Sequence, residues 1–316
     1  MLFQKTIDGW DSWGRVFCDL SAFEPLIREI LRAEGYRQDA RLSGLTPGTN
    51  AVFHAEDMVI KIYAPVESGM DSLRDYNTEK AVSKRLTQTG VRVPGILAAG
   101  EIRDAYLFRY LIMEYMSGDE AGKLLPGWEA DRKRSFVREL SRMLERIHQP
   151  FEELSGLDYM DRAWKNPRLD KLPDSMRDSF RRRLERIRPV YEKGFDVLVH
   201  GDLTGENVLI GPDQKVCLID LADALKAPEV YEWPPLVFEL FQCDPELVCS
   251  LAGEQISEFT HKLLDGLVMH DFGPDLVQGW EERCGEEFRN LEELEVYLNG
   301  LWSVCPPGRK GKDNYA

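Results

Sequence analysis

Several features that mark other classes of protein are missing from this sequence. No apolar run approaches the ~20 residues that a membrane-spanning helix needs, and residues 1–6 lack the apolar stretch of a secretory signal peptide. We therefore expect a cytoplasmic protein with no membrane partner. The six cysteines are scattered without a Cys-x-x-Cys pair, which argues against a disulfide framework or a structural zinc site and favours reduced thiols.

Positive charge is also scarce. The chain has 40 Lys and Arg against 55 Asp and Glu, a net charge of −15, and this sign disfavours binding to nucleic acid. Residues 241–300 hold fourteen acidic and three basic side chains, so −11 of the net charge falls there. Such a stretch suits a cationic ligand. A solvated acidic surface that only aids solubility is the alternative, and charge alone favours it.

The length of 316 residues allows a large core and a division into two domains. Residues 1–40 predict a helical preamble, because apolar side chains recur there at helical spacing and Gly35 follows as a C-cap. The turn signal at residues 117–119 marks a boundary. We therefore predict a first domain over residues 1–116 and a second over residues 117–316.

Two amphipathic helices are predicted in the second domain. Residues 129–148 carry an apolar face made of Phe136, Val137, Leu140, Met143, Leu144 and Ile147, and Pro150 ends this helix. Residues 177–188 form another helix, whose arginines are predicted to face outward.

Short apolar runs alternate with polar groups in residues 197–220. A His-Gly-Asp motif ending at Asp202 follows the first run, an Asn follows five residues later at Asn207, and a later run leads into Asp220. Phosphoryl transfer needs such parts, namely a carboxylate that orients the attacking hydroxyl and two oxygen ligands that hold Mg²⁺ on the phosphates. Ordinary turn chemistry explains a lone His-Gly-Asp, but it does not explain the whole constellation.

The motif His-Gly-Asp-Leu-x-x-x-Asn-x-Leu of residues 200–209, followed by Ile-Asp at 219–220, resembles the aminoglycoside phosphotransferases and choline kinases. The resemblance implies an α+β, bilobal protein-kinase-like fold with a small antiparallel-sheet N-lobe and a larger, mostly helical C-lobe. It implies Asp202 as the catalytic base, and Asn207 and Asp220 as ligands of Mg²⁺. The co-substrate would be ATP or GTP.

Lys61 and Glu79 occupy unusual positions for charged residues. In the run 58–63, Met58, Ile60 and Ile62 face one way and Lys61 faces the other. In the predicted helix that starts near residue 72, Glu79 falls within the inward stripe of Leu73, Tyr76, Val82 and Leu86. A carboxylate there needs a cationic partner, so we predict a Lys61–Glu79 pair that holds the nucleotide phosphates. The alternative is an exposed Glu79 on a slightly rotated helix.

Further nucleotide contacts are predicted on both sides of these residues. The loop of Gly48, Thr49 and Asn50 lies between two predicted strands, where a kinase-like fold covers the phosphates, although it is poor in glycine. By resemblance, residues 113–116 form the hinge between the lobes, with Met113 beside the base and backbone groups of Glu114 and Met116 reading it. The same resemblance places Leu209 and Ile219 against the nucleotide.

Two other phosphate-related motifs are incomplete. Residues 118–123 faintly resemble a P-loop, but three residues instead of four separate Gly118 from Gly122-Lys123. The next residue is Leu124, where a P-loop has Ser or Thr, so a P-loop is unsupported. Asp271-Phe272-Gly273 spells a kinase metal motif, but no apolar strand precedes it.

The sequence thus predicts an enzyme, a small-molecule kinase. A protein kinase is disfavoured because Gly201 and Thr204 stand where its catalytic loop carries Arg and Lys, and no long activation segment follows Asp220. The acidic stretch favours a cationic, aminoglycoside-like acceptor. Choline, homoserine, a sugar or another antibiotic remain as alternative acceptors, and a nucleotide-binding module without turnover remains as an alternative function.

Overall fold

The computed structural model describes residues 1–46, 48–154, 158–192 and 196–303. The chain divides into two compact units. The first comprises Met1–Ser117 with Cys217–Asp223, and the second comprises Gly118–Val216 with Ala224–Ala316. The predicted α+β class is confirmed, since the first unit is built on an antiparallel sheet and the second is mostly helical.

The first unit contains a five-stranded sheet with the order β1-β2-β3-β5-β4, in which all neighbours are antiparallel. Its elements are α1 (Trp10–Gly14), α2 (Leu20–Ala33), β1 (Leu42–Gly44), β2 (Ala51–Ala55), β3 (Met58–Ile62), α3 (Ser72–Gln88), β4 (Ile96–Arg103) and β5 (Leu107–Glu114). The predicted helical preamble is confirmed, and strands lie on both sides of the loop of Gly48, Thr49 and Asn50 as predicted.

The two faces of this sheet are packed differently. One face joins α1 and α2 in a single apolar core that includes Met58, Ile60 and Ile62. The opposite face carries Lys61 and a smaller apolar cluster around Leu111 and Met113. The alternation of side chains along β3 therefore lies as predicted, because successive residues of a strand point to opposite faces.

The second unit is built mainly from helices. Its elements are β6 (Asp119–Glu120), α4 (Ala121–Leu124), α5 (Ala130–Ile147), α6 (Tyr159–Trp164), α7 (Asp174–Tyr191), β7 (Val197–Val199), β8 (Val208–Ile210), β10 (Leu225–Ala227), α8 (Trp233–Pro235), α9 (Pro245–Ala252), α10 (Ile256–Met269), α11 (Gly273–Cys284) and α12 (Leu291–Trp302). The strand β9 (Val216–Leu218) runs from the second unit into the first. β7 pairs antiparallel with β10, and β8 pairs antiparallel with β6.

Three details differ from the predictions. Leu73 is 45% exposed, because the buried stripe of α3 begins instead at Ser72, whose hydroxyl donates to the Ala64 carbonyl. Arg183 lies inside the protein, on a helix whose arginines were predicted to face outward, and donates to Asp265 at 2.8 Å. Cys249 is disulfide-bonded, so the prediction of reduced thiols is wrong at that residue.

Much of the acidic charge in residues 241–300 has a local partner. Eight of the fourteen acidic residues form ion pairs with described cationic side chains, namely Asp244, Glu246, Glu258, Asp265, Asp271, Asp275, Glu293 and Glu295. Several of the partners belong to the arginine-rich span 162–188. Within the described residues, no helix has the length and apolar character to cross a bilayer.

Candidate functional site

The first unit brings Lys61, Glu79 and Asp220 together. Lys61 on β3 donates to Glu79 Oε2 at 2.7 Å and to Asp220 Oδ1 at 2.8 Å. Lys61 and Glu79 are each 3% exposed. Burial by itself would lower the pKa of Lys61, but the Asp220 and Glu79 carboxylates outweigh it and raise that pKa above its usual value. Lys61 is therefore a fully charged ammonium at neutral pH.

Tyr63 is a third partner of Glu79 that the sequence reasoning missed. It is fully buried on the same side of the strand as Lys61, and its hydroxyl donates to the same Oε2 atom of Glu79. Burial, together with the Glu79 charge, raises the pKa of Tyr63 well above its usual value, so the hydroxyl keeps its proton. Two donors thus hold one carboxylate oxygen and fix the Glu79 side chain.

Asp220 has the backbone conformation of a residue held in place by its surroundings. Its φ of 59° lies in the left-handed region, which is uncommon outside glycine although Asp and Asn tolerate it best. Unfavourable backbone conformations of this kind cluster at functional sites. Ile219, which precedes Asp220, is half-buried. Leu218, one residue earlier, donates its N–H to the Arg92 carbonyl at 3.0 Å.

The loop between β1 and β2 lies beside Asp220. A Cβ atom on Gly48 would lie 3.9 Å from Asp220 Oδ2, so the loop backbone closely approaches the carboxylate. The Thr49 carbonyl accepts a hydrogen bond from the Trp13 indole at 2.9 Å. The Asn50 side chain is buried, and its Oδ1 accepts from the Ala64 N–H at 3.2 Å. Asn50 thus anchors the loop through its side chain.

The end of β5 contains the predicted base-reading residues. Met113 is buried, Glu114 is exposed and Met116 is half-buried. The N–H of Glu114 donates to the Gly95 carbonyl at 2.9 Å, and the N–H of Tyr115 donates to the Asp57 carbonyl at 2.9 Å. Among the described residues, the N–H of Met116 has no such partner.

In the second unit, the connection between β7 and β8 brings Asp202 and Asn207 together. Asn207 Nδ2 donates to the Asp202 carbonyl at 2.9 Å and to Asp202 Oδ2 at 2.8 Å. The N–H of Asp202 donates to His200 Nδ1 at 3.3 Å, so His200 supports the turn. Leu209, predicted to contact the nucleotide, is a buried residue of β8. The carboxylate of Asp202 is therefore oriented by its own loop.

Glu232 binds backbone N–H groups of this loop, and the sequence reasoning missed it. The side chain is 0% exposed, and its two carboxylate oxygens accept from the N–H of His200 at 2.6 Å and of Gly201 at 3.0 Å. Burial alone would raise the pKa of Glu232, but His148, with Nε2 at 3.4 Å, and the backbone donors lower it below its usual value. The sequence does contain an indication of this role, because Glu232 is a carboxylate within the apolar run 230–240, just as Glu79 lies within an apolar stripe.

The residues predicted to hold Mg²⁺ have the donor chemistry that this ion prefers. Mg²⁺ binds hard oxygen atoms, commonly one or two protein oxygens beside the substrate phosphates. Asp220 supplies a carboxylate. Asn207 uses Nδ2 for both of its bonds to Asp202, so its Oδ1 is the oxygen that would bind a metal. Within the part of the chain that the structure describes, no group of three or more His, Cys, Asp and Glu side chains forms a metal cluster.

The chain is similar to several solved phosphotransferases. The GDP complex of wild-type aminoglycoside 2'-phosphotransferase-IIIa has a TM-score of 0.62 at 16% identity, with 89% of this chain and 98% of that chain covered. The streptomycin-ATP-APH(2")-IIa ternary complex gives 0.55 at 16%, covering 77% and 86%. Choline kinase LicA from Streptococcus pneumoniae gives 0.55 at 17%, covering 88% and 98%. These likenesses show a shared protein-kinase-like fold.

The comparison with family models extends this result to the sequence. The model of the phosphotransferase enzyme family matches residues 46–233, more than half of the chain, and this span contains every predicted site residue. A search of curated proteins finds no significant match. The predicted resemblance, the fold class and the prediction of an enzyme that acts as a small-molecule kinase are confirmed. The chain belongs to the phosphotransferase enzyme family.

Proposed function

We propose that this phosphotransferase moves the γ-phosphate of ATP or GTP to a hydroxyl group of a small cationic molecule, with an aminoglycoside-like compound as the leading acceptor. The observation that carries the proposal is the buried contact of Lys61 with Glu79 and Asp220. A Lys–Glu pair of this kind positions the lysine on nucleotide phosphates in kinase-like enzymes. The similar structures described above include a GDP complex and an ATP complex.

In this proposal Lys61 supplies fixed positive charge to the nucleotide phosphates. Its raised pKa keeps the ammonium charged, and Glu79 holds it in place. The loop of Gly48, Thr49 and Asn50 offers backbone N–H groups to the same phosphates. Electrostatic stabilisation by groups that are already in position is effective because nothing must reorganise during the reaction.

Asp202 orients and deprotonates the acceptor. The acceptor oxygen forms a bond to the γ-phosphorus, the bond from that phosphorus to the β,γ-bridging oxygen breaks, and the hydroxyl proton passes to the Asp202 carboxylate. Because the transition state is loose, alignment of the hydroxyl contributes more than strong proton abstraction. The Asn207 amide holds Asp202 Oδ2 and thereby fixes the direction of the carboxylate.

We assign Asn207 and Asp220 as the Mg²⁺ ligands and the end of β5 as the base-reading segment. When bound, Mg²⁺ neutralises charge on the phosphate oxygens. The Glu114 N–H is used by Gly95, so the Glu114 carbonyl and the Met116 N–H are the backbone groups that we assign to the base. Met113, Leu209 and Ile219 supply apolar contacts to it.

The acceptor assignment rests on charge. The whole chain carries a net charge of −15, which attracts cations by long-range electrostatics. Because many acidic side chains of residues 241–300 are paired with local cations, that stretch supports a cationic acceptor less strongly than its composition predicts. Choline, homoserine, sugars and other antibiotics therefore belong in the same screen.

The decisive experiment measures phosphoryl transfer to a panel of aminoglycosides and other alcohols with ATP and with GTP. We expect Asp202→Asn to lower kcat by about 10²-fold or more while nucleotide affinity stays near that of the unmodified protein, since the carboxylate acts on the acceptor. Asp170→Asn, at an exposed site, is the matched control and should leave kcat unchanged.

Two outcomes would contradict the proposal. Unchanged kcat in Asp202→Asn removes Asp202 from its role. Nucleotide binding without transfer to any compound of the panel favours a nucleotide-binding module without turnover.

A further inference from the structure

The helical preamble lies outside the matched family span, which begins at residue 46, yet it is firmly attached to the first unit. The Asp104 carboxylate accepts from the N–H groups of Leu2 and Phe3, both at 2.8 Å. The Tyr106 hydroxyl accepts from the N–H of Ile7 at 2.8 Å. These hydrogen bonds make the preamble a structural part of the first unit.

One residue of the preamble reaches the loop that we assign to the nucleotide phosphates. Trp13 on α1 is 0% exposed, and its ring packs against Phe17 at 6.1 Å and edge-on against Phe23 at 5.8 Å between centroids. Its indole N–H donates to the Thr49 carbonyl at 2.9 Å. An indole ring has one hydrogen-bond donor, and in Trp13 this donor binds the carbonyl of a loop residue.

This hydrogen bond fixes the direction of the following amide group. In a planar trans peptide, the C=O of one residue and the N–H of the next point in opposite directions. Because the Thr49 carbonyl points at Trp13, the Asn50 N–H points away from the preamble. The Asn50 side chain, bonded to the Ala64 N–H, fixes the other end of the same peptide unit.

The hydrogen bond from Trp13 matters because the loop of Gly48, Thr49 and Asn50 is poor in glycine. A glycine-rich loop can adapt its backbone to phosphates, whereas Thr49 and Asn50 have restricted backbone freedom. A loop of this kind must be held beforehand in a conformation that suits its ligand, and preorganisation of this type improves affinity by lowering the ordering cost of binding. Gly48, next to Thr49, is the residue whose backbone approaches Asp220.

We propose that Trp13 is a positioning residue of the nucleotide site, which holds the Thr49–Asn50 peptide so that the Asn50 N–H donates to a nucleotide phosphate. The inference rests on the proposed function, because it requires this loop to cover the phosphates. It extends the functional unit to the preamble, and it makes the affinity for phosphate groups depend on an indole N–H outside the matched family span.

The test compares Trp13→Phe with Trp302→Phe. Trp302 is a matched control because it is also 0% exposed, and its indole N–H also donates to a backbone carbonyl, that of Cys243 at 3.0 Å. Both changes remove a buried hydrogen bond of the same type. We expect both to lower Tm, but only Trp13→Phe should raise the KM for the nucleotide triphosphate, by about fivefold, with kcat within about twofold of the unmodified protein.

A second measurement separates phosphate contacts from general loosening of the site. The Kd of adenosine or guanosine, which lack phosphates, should stay unchanged in Trp13→Phe, whereas the Kd of the triphosphate should rise by the same factor as its KM. If Trp13→Phe does not fold, benzothienylalanine at position 13 keeps the shape of the indole and removes only the donor. It should give the same shift.

The possible failures are distinguishable. An unmodified protein that binds no nucleotide overturns both the proposed function and this inference. Normal nucleotide turnover with equal triphosphate KM in the two tryptophan variants, or an equal loss of adenosine affinity, overturns the role of Trp13 alone.

Discussion

Among single residues, His270 has surroundings that accept only its neutral form. Its Nε2 lies 3.1 Å from the Gly201 carbonyl and acts as donor, while its Nδ1 accepts from the Phe272 N–H at 3.1 Å. The ring is almost fully buried and packs 4.4 Å from the Tyr231 ring. Burial lowers the pKa of His270 from 6.5 to about 4, because a charged ring inside the protein loses its hydration.

This shift predicts a loss of stability on acidification. The unfolded chain binds a proton at position 270 near pH 6.5, whereas the native protein does so only near pH 4. Between these values the unfolded state holds more protons, so the free energy of unfolding falls as pH falls. We expect a loss of about 2 kcal/mol between pH 7 and pH 5 from this residue, measured by denaturant unfolding at each pH.

The contribution of His270 can be isolated by substitution. His270→Gln should flatten the dependence of unfolding free energy on pH, whatever its effect on stability at pH 7. His261→Gln changes a half-exposed histidine that pairs with Glu295 and should leave most of the dependence in place. Equal slopes in His270→Gln and the unmodified protein would rule out this explanation.

At the scale of structural elements, the connection between β7 and β8 depends on Glu232. Its carboxylate occupies two backbone N–H groups of the loop that carries Asp202. Glu232→Gln keeps the shape but provides a single acceptor oxygen and removes the charge opposite His148. A buried N–H left without an acceptor in this way costs about 1–3 kcal/mol.

We therefore expect Glu232→Gln to lower both Tm and kcat, because the loop no longer presents Asp202 in one orientation, while the KM for the nucleotide changes less. The measurement is steady-state kinetics beside thermal unfolding. Glu229→Gln is the control and should alter neither quantity, because Glu229 is exposed at the start of the short 3-10 helix Glu229–Glu232. If kcat of Glu232→Gln stays within twofold of the unmodified enzyme, the loop keeps its conformation without the Glu232 carboxylate, which contradicts this prediction.

The helices and strands themselves follow largely from local pattern. The predicted face of α5, with Phe136, Val137, Leu140, Met143, Leu144 and Ile147, is buried throughout. The predictions of burial were wrong where a tertiary contact determined which of two neighbouring residues is buried. In α3, Ser72 and Leu73 are one residue apart, and the hydrogen bond from Ser72 to Ala64 decides which of them lies inside.

For the whole molecule, ligand binding should appear as a gain in stability. A ligand that binds only the native state at about 100 times its Kd stabilises it by about 2.7 kcal/mol, which corresponds to a rise in Tm of about 5 °C for a protein of this size. We expect this shift with Mg²⁺ and nucleotide together, measured by calorimetry, and we expect EDTA to reduce it because the metal neutralises the phosphates.

The same shift tests Lys61. In Lys61→Met the nucleotide-dependent rise in Tm should disappear, since the variant lacks the ammonium that meets the phosphates. Lys84→Met, on the exposed side of α3, should keep the full shift. Each variant is compared with its own ligand-free Tm, because Lys61→Met also leaves two carboxylates without their cation. A full shift in Lys61→Met would contradict the assigned role.

The sequence by itself determined the family and the fold class, because spacing along one chain is enough to show a His-Gly-Asp motif, a later Asn and a strand that ends at Asp. It also predicted the Lys61–Glu79 pair, since a carboxylate in an apolar stripe and a lysine on a buried strand each need a partner. The roles assigned to the site residues stay predictions until the variants are measured.

Only the tertiary structure decided which residues support the site. Tyr63, Glu232 and Trp13 each reach their partner through a contact between segments far apart in the chain, over 16, 31 and 36 residues respectively. No local periodicity encodes such contacts, because a side chain's hydrogen-bonding partner depends on which backbone group the fold brings within about 3 Å of it. The fold also decided that Arg183 is buried, by placing Asp265 beside it.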